Sequence, residues 1–102
     1  MKLPKPLIDY LRSDAPKFAD RDAFQVGVEM WAESDLETFN REYEVAKYAP
    51  GFYGIGSDGG GEMLALDTNG KIYCLPFIGM SPEAAALIAD SWESFFVTFK
   101  RD

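Results

Sequence analysis

The first candidates for chemistry are four acidic residues close together in the sequence: Glu29, Glu33, Asp35 and Glu37. Two such carboxylates could act as a general acid and base, or cleave a glycosidic bond. The same residues serve equally well as the polar face of a strand and the cap of a helix. Because no recognisable cleft element accompanies them, catalysis is the weaker interpretation.

A second candidate is the segment Gly54–Gly59, which matches the pattern G-x-G-x-x-G. The dinucleotide fingerprint needs a helix after this loop, because backbone N–H groups at the helix start hold the pyrophosphate. Here a strand is expected to follow, and Asp58 and Glu62 would repel a phosphate. A β-turn that requires positive φ explains these glycines better.

The chain has no histidine and a single cysteine, Cys74. These facts exclude Ser-His-Asp and Cys-His catalysis, His-ligated zinc, an intrachain disulfide and a cysteine metal cluster. Cys74 lies in an apolar strand, so we expect a buried, inert thiol. We therefore predict no catalytic residue, no cofactor and no metal.

The elements that position these residues follow from hydrophobic spacing. We predict a short helix over residues 3–13, a loop over residues 14–23 and a strand from Phe24 to Trp31. Ser34 and Glu37 have the spacing of a capping box, which predicts a helix start.

Three short strands should follow, at residues 52–56, 62–67 and 71–75, joined as an antiparallel meander. Asn69-Gly70 is the strongest short hairpin signal between the last two. Residues 83–89 fit either a short helix or a further strand. Asp90 should cap a final helix with four core rings: Trp92, Phe95, Phe96 and Phe99.

Charge is distributed unevenly along the chain. Residues 22–70 contain ten acidic and two basic residues, a net charge of −8, whereas the remaining residues have a net charge of +1. An acidic middle disfavours nucleic-acid binding and would speed encounter with a basic surface. The alternative is a merely solubilising surface. Tyr and Trp side chains among these acids could anchor a protein interface or lie at the edge of the core.

Several segments resemble the SUKH superfamily of Smi/Knr type. They are the glycine-rich run Pro50–Glu62, the strand segment Leu64–Asp67, Tyr73 with Pro76-Phe77, and the closing segment Ala89–Phe96. Leu3-Pro4 with Tyr10-Leu11, and Trp31 with Leu36, are also similar to elements of that family. The resemblance therefore covers nearly the whole chain.

The resemblance implies an α+β fold, with an antiparallel or mixed sheet of about four to five strands flanked by short helices. It implies one domain over residues 1–102, without the family's usual first helix and with a sheet face that a second copy could cover. Bacterial members are associated with immunity against toxins, many of them nucleases, and fungal relatives with regulatory scaffolding. The family has no known catalytic residues.

The sequence thus predicts a non-enzymatic immunity protein that binds a basic, nuclease-type toxin in the cytoplasm. Trp31, Glu33, Asp58 and Glu62 are the candidate contact residues. No apolar run is long enough to span a membrane, and no signal peptide is recognisable. The alternatives are a self-associating regulatory or scaffold module, including a homodimer, and a carboxylate-dependent hydrolase.

Overall fold

The structure, a computed structural model, describes residues 3–15, 17–21 and 26–100 of the chain. Its helices are α1 (Lys5–Leu11), α2 (Leu36–Glu42), α3 (Val45–Tyr48) and α4 (Trp92–Lys100). Its strands are β1 (Phe18–Arg21), β2 (Val26–Met30), β3 (Phe52–Ser57), β4 (Glu62–Asp67), β5 (Ile72–Pro76) and β6 (Ala86–Ala89). These six strands form one antiparallel sheet in sequence order. The α+β class is confirmed.

The predicted meander is present as β3, β4 and β5. At the Asn69-Gly70 turn, the Gly70 N–H donates to the Asp67 carbonyl at 3.1 Å and Gly70 has φ +82°. The Asp67 carboxylate also accepts the Lys71 N–H at 3.0 Å. Positive φ is open to glycine without steric cost, so Gly70 favours this hairpin.

Strand β4 is covered on both faces, as its continuous apolar run predicts. Residues 63–66 are each at most 1% exposed. A Cβ on Gly54 would meet both Met63 and Asn40 of α2, so α2 covers the Met63 face. Leu66 points the opposite way by strand alternation and lines a groove together with Leu3, next to α1.

Helices α1 and α4 pack through aromatic rings. The Tyr10 ring lies 5.3 Å from Trp92 and 5.1 Å from Phe96, measured between ring centroids. Trp92 and Phe95 are buried and Phe96 is partly buried, as predicted, while the side chain of Phe99 lies outside the described part. Burial raises the pKa of Tyr10 to about 12, because the phenolate would lose its hydration there.

The loop predicted over residues 14–23 is wrong where β1 lies, at residues 18–21. This strand has no alternating pattern of its own, and its pairing with β2 (Phe18 opposite Glu29) supplies its backbone hydrogen bonds. An edge strand tolerates polar residues, so its sequence resembles a loop. Phe24, the predicted start of β2, lies outside the described residues.

Two predicted helix starts are also wrong. Ser34 lies inside a 3₁₀ turn, Glu33–Asp35, and α2 begins after it without a side-chain cap. The N-terminus of α4 is capped by Ser91 rather than Asp90, with the Ser94 N–H donating to the Ser91 hydroxyl at 3.1 Å. At α2 a 3₁₀ turn replaces the predicted cap, and at α4 the cap lies one residue later than predicted. Sequence spacing does not locate helix ends to within one or two residues.

Residues 83–89 resolve into a 3₁₀ turn, Pro82–Ala84, followed by the edge strand β6. Ser81 caps that turn, because its hydroxyl accepts the Ala84 N–H at 3.3 Å. No helix in the described ranges combines the length and the apolar character that crossing a membrane requires.

Candidate protein-binding surface

Asn40 fixes α2 against β3. Its side-chain N–H donates to the Gly54 carbonyl at 2.9 Å, and its Oδ1 accepts the Gly54 N–H at 2.6 Å. Strand β2 pairs with β3 only as far as Gly56, after which the Trp31 N–H donates to the Ile55 carbonyl. The Asn40 amide therefore takes the place of a strand partner where β2 ends.

Two glycines of the G-x-G-x-x-G segment lie inside β3, where packing leaves no room for a side chain. A Cβ on Gly54 would come within 2.6 Å of the Met63 sulfur and 3.0 Å of the Trp31 ring. A Cβ on Gly56 would come within 2.5 Å of the Glu29 carbonyl oxygen. The expectation that these two glycines serve positive φ is wrong, because close approach requires them instead.

The turn between β3 and β4 is organised by Asp58, which is 7% exposed. Its Oδ1 accepts the N–H of Gly60 at 2.7 Å and that of Glu62 at 3.1 Å. Gly59 (φ +74°) and Gly61 (φ +101°) have the positive φ predicted for this turn. The Asp58 carboxylate thus acts locally, as an acceptor for backbone N–H groups.

Four rings lead from the core to the surface, and we call them the aromatic ladder: Trp31, Phe39, Tyr43 and Phe77. Trp31 packs edge-on against Phe39 with centroids 4.9 Å apart and stacks with Tyr43 at 5.9 Å. Tyr43 in turn lies 4.7 Å from Phe77. The exposed fraction is 8% at Trp31 and 43% at Tyr43, whereas Phe77 is partly buried.

The ladder ends beside the glycine-rich turn, because the Phe77 N–H donates to the Gly61 carbonyl at 3.0 Å. Two parts of the predicted site, Trp31 and the turn that carries Glu62, are thereby connected through Tyr43 and Phe77. A contact between residues so far apart in the sequence has no local signal. The only hint is the Pro-Phe pair that closes β5.

Strand alternation nevertheless places Glu62 on the opposite face of the sheet from the ladder. Met63 lies on the same face of the sheet as Trp31. Glu62 is its neighbour in β4, and adjacent residues of a strand point to opposite faces. Glu62 lies near the Cys74 thiol instead. Burial and the Glu62 carboxylate raise the pKa of Cys74 to about 12, so the thiol stays protonated at neutral pH.

Glu33 is held by Arg12, at the end of α1. The two side chains form a bidentate pair, with Nε to Oε1 and Nη2 to Oε2 both at 2.8 Å. The hydrogen bond from Arg12 holds the pKa of Glu33 below its usual value, and Glu33 raises that of Arg12. The charge of Glu33 is therefore largely matched within the chain.

The four predicted contact residues are thus placed in different environments. Trp31 and Asp58 are buried, Glu33 is paired with Arg12, and Glu62 is half-buried. Sequence reasoning considered Glu29, Asp35 and Glu37 only as catalytic carboxylates and did not single out Glu42 and Glu44. All five are exposed, and all except Glu29 lie in α2 or within two residues of it in the sequence. Their signal in the sequence is the low number of basic residues between them.

The chemistry available at this surface is that of recognition. A groove of about 410 Å³ between α2, α3 and the start of β3 is lined by Asn40, Arg41, Ala46, Gly51, Phe52 and Tyr53. Burial, together with the Glu37 charge, raises the pKa of Tyr53. Within the described ranges, no three Cys, Asp or Glu side chains are grouped so that they could hold a metal ion. What the surface offers is carboxylates, the Arg41 guanidinium, tyrosines and apolar side chains.

The fold and this surface define a small α+β domain, in which one antiparallel sheet is covered by short helices on both faces of its central strand. The model of the SMI1/KNR4 family (SUKH-1) matches residues 1–98, so the chain belongs to this family. The family resemblance seen in the sequence is confirmed. No match to a curated protein was found.

Proposed function

We propose that the chain is a non-enzymatic, single-domain immunity protein that binds a basic toxin in the cytoplasm and neutralises it. Membership of the SUKH-1 family supports a protein partner. The observation that carries the basic character of that partner is the exposure of the acidic residues in and beside α2, the helix that also carries Phe39 of the aromatic ladder.

Among the described residues, basic side chains neutralise these acidic residues only in part. Glu42 and Glu37 are exposed, and Glu44 makes a long contact to Lys47, at 4.0 Å. A cluster of one sign attracts an oppositely charged protein and raises the association rate at low ionic strength. Inhibition then follows by steric occlusion of a basic active-site surface, with no chemical step on the inhibitor.

Affinity capture from lysate of the organism that encodes the chain tests this proposal, with mass spectrometry of the retained polypeptides at low and high salt. We expect a single strongly basic polypeptide that is retained at low salt and released at high salt. Purified partner and chain should then associate rapidly, and adding the chain should abolish the partner's nuclease activity. Retention of no basic polypeptide at low salt contradicts the proposal.

Charge reversal locates the electrostatic surface. Glu42→Lys should slow association by roughly tenfold at low salt, whereas its effect should shrink at high salt. Glu83→Lys is the matched control, because Glu83 is exposed but lies in the 3₁₀ turn before β6. Equal rate changes for the two variants would assign the effect to net charge alone.

A second candidate function, a self-associating module, is favoured by the edge strand β6. Its sequence, Ala86–Ala89, has no charge, and Leu87 is 54% exposed. Uncharged edge strands pair readily with other chains. Sedimentation over a hundredfold range of concentration tests it, and Leu87→Lys should convert any dimer to a monomer. A monomer throughout rules this candidate out.

A further inference from the structure

Ile78 is the most exposed large apolar side chain among the described residues. It is 93% exposed, compared with 62% for Val97 and 54% for Leu87. It lies in the short loop after β5, directly next to Phe77 at the end of the aromatic ladder. An isoleucine in this position gains nothing from the core of its own domain.

The loop that carries Ile78 is anchored on both sides. Before it, the Phe77 N–H is bonded to the Gly61 carbonyl and the Phe77 ring packs against Tyr43. After it, Gly79 turns the chain at φ +78° and Met80 is buried at 8% exposure. An exposed side chain on a restrained loop is preorganised, so binding through it costs little ordering entropy.

Phe77, the chain neighbour of Ile78, contacts a tyrosine that is flanked in the sequence by exposed carboxylates. Tyr43, which contacts Phe77, is 43% exposed and lies between two exposed carboxylates in sequence, Glu42 and Glu44. An apolar centre inside a polar rim is the usual anatomy of a protein interface.

The charges of the rim indicate which occupant is favoured. A second copy of this chain would bring its own Glu42 and Glu44 against the same residues, and an anionic membrane would be repelled by them. A polypeptide with basic residues around an apolar pocket is attracted instead. The acidic rim therefore selects among proteins, and the apolar tip selects a pocket of matching shape.

We propose that Ile78 is the apolar anchor of this binding surface, inserting into an apolar pocket with a basic rim on the partner polypeptide. Tyr43, whose ring contacts the neighbouring Phe77, contributes to the same surface. This inference rests on the proposed function, because it names the contact surface for the same basic partner. It replaces the buried Trp31 and Asp58 by exposed residues at the centre of the interface.

The experiment is site-specific photocrosslinking in cells of the organism that encodes the chain. p-Benzoylphenylalanine replaces Ile78 in one variant and Val97, on α4, in the control variant. We expect a single adduct with a strongly basic polypeptide from position 78 and none from position 97. The same polypeptide should be retained by affinity capture on the wild-type chain and on Val97→Asp, but at least about tenfold more weakly on Ile78→Asp.

The outcomes separate the two proposals. If wild-type chain retains the basic polypeptide and Ile78→Asp retains it equally, the proposed function stands and the anchor is overturned. If no basic polypeptide is retained by the wild-type chain, the proposed function fails, and the anchor with it. An adduct between two copies of the chain at position 78 also overturns the anchor. Because Ile78 is almost fully exposed, Ile78→Asp should melt at the wild-type temperature, and Ile78→Leu should bind like wild type.

Discussion

The side chain of Asn40 hydrogen-bonds both backbone polar groups of Gly54, at 2.6 and 2.9 Å, and so continues the sheet where β2 stops. It also donates to the Leu36 carbonyl at 2.8 Å, one turn earlier in α2. The register between β3 and β4 shifts between Gly54 and Gly56, at the same place. One amide thus joins the helix that carries much of the acidic surface to the strand that leads into the glycine-rich turn.

Removing this amide should destabilise the whole domain. In Asn40→Ala, the N–H and carbonyl of Gly54 lose their partner in a part-buried position, so we expect a loss of about 2 kcal/mol in the free energy of unfolding. Urea denaturation followed by circular dichroism measures it. Asn69→Ala, in the exposed β4–β5 turn, is the control and should change stability by much less. Equal losses in the two variants would contradict the bridging role of Asn40.

The two glycines inside β3 should tolerate alanine to different degrees. Gly56→Ala forces its Cβ against the backbone oxygen of Glu29, at 2.5 Å, and that strand cannot move without breaking its pairing with β3. Gly54→Ala first meets the end of the flexible Met63 side chain, at 2.6 Å, which can rotate away in part. We expect Gly56→Ala to cost more, on the order of 2–3 kcal/mol, as overpacking usually does. Thermal melts of the two variants test which one loses more stability. A larger loss for Gly54→Ala would contradict the prediction.

Asp58 should prove to be structural through its hydrogen bonds rather than through its charge. Asp58→Asn keeps an oxygen that can accept the N–H groups of Gly60 and Glu62, whereas Asp58→Ala removes it. We expect Asp58→Ala to lose about 1–2 kcal/mol and Asp58→Asn to lose clearly less.

The same pair of variants separates stability from binding. If Asp58 contributes charge to the partner contact, Asp58→Asn will slow association even though its stability is close to wild type. We expect unchanged association for Asp58→Asn, because the carboxylate is buried in the turn. A reduced association rate at unchanged stability would restore Asp58 to the contact surface.

Stability should fall in alkaline solution. The pKa of Cys74 rises from 9.0 to about 12 on folding, and that of Tyr10 from 10.0 to about 12. A raised pKa means that the unfolded chain releases these protons first, so the stabilisation is complete below pH 9 and is lost as the pH rises toward 12. Urea midpoints measured across this range test the prediction.

A Cys74→Ala variant tests whether Cys74 causes the first part of the loss of stability at alkaline pH. Its loss of stability should begin later than that of the wild-type chain, near the ordinary pKa of tyrosine, 10.0. The native thiol should also react slowly with a disulfide reagent at mildly alkaline pH and at full rate in urea. Rapid labelling of the folded chain would show that Cys74 is more accessible than its 8% exposure indicates.

Much of the fold could be predicted from the sequence, since its signals are local. The Asn69-Gly70 hairpin, the continuous apolar run of β4 and the aromatic spacing of α4 each depend on residues adjacent in the chain or one helical turn apart. The acidic middle could likewise be read from composition. Edge strand β1 could not be predicted, because its stability comes from pairing with β2.

The candidate surface was decided by the tertiary structure. Whether an aromatic or acidic residue faces solvent depends on which elements cover it, and this information is spread over distant parts of the chain. Trp31 is buried because Phe39 and Tyr43 pack on it, and the Tyr43–Phe77 contact joins segments separated by three strands. Sequence alone determined that this domain is acidic, α+β and of the SUKH type. Only packing determined that Ile78 lies outermost, because burial is a property of the assembled chain rather than of any local pattern.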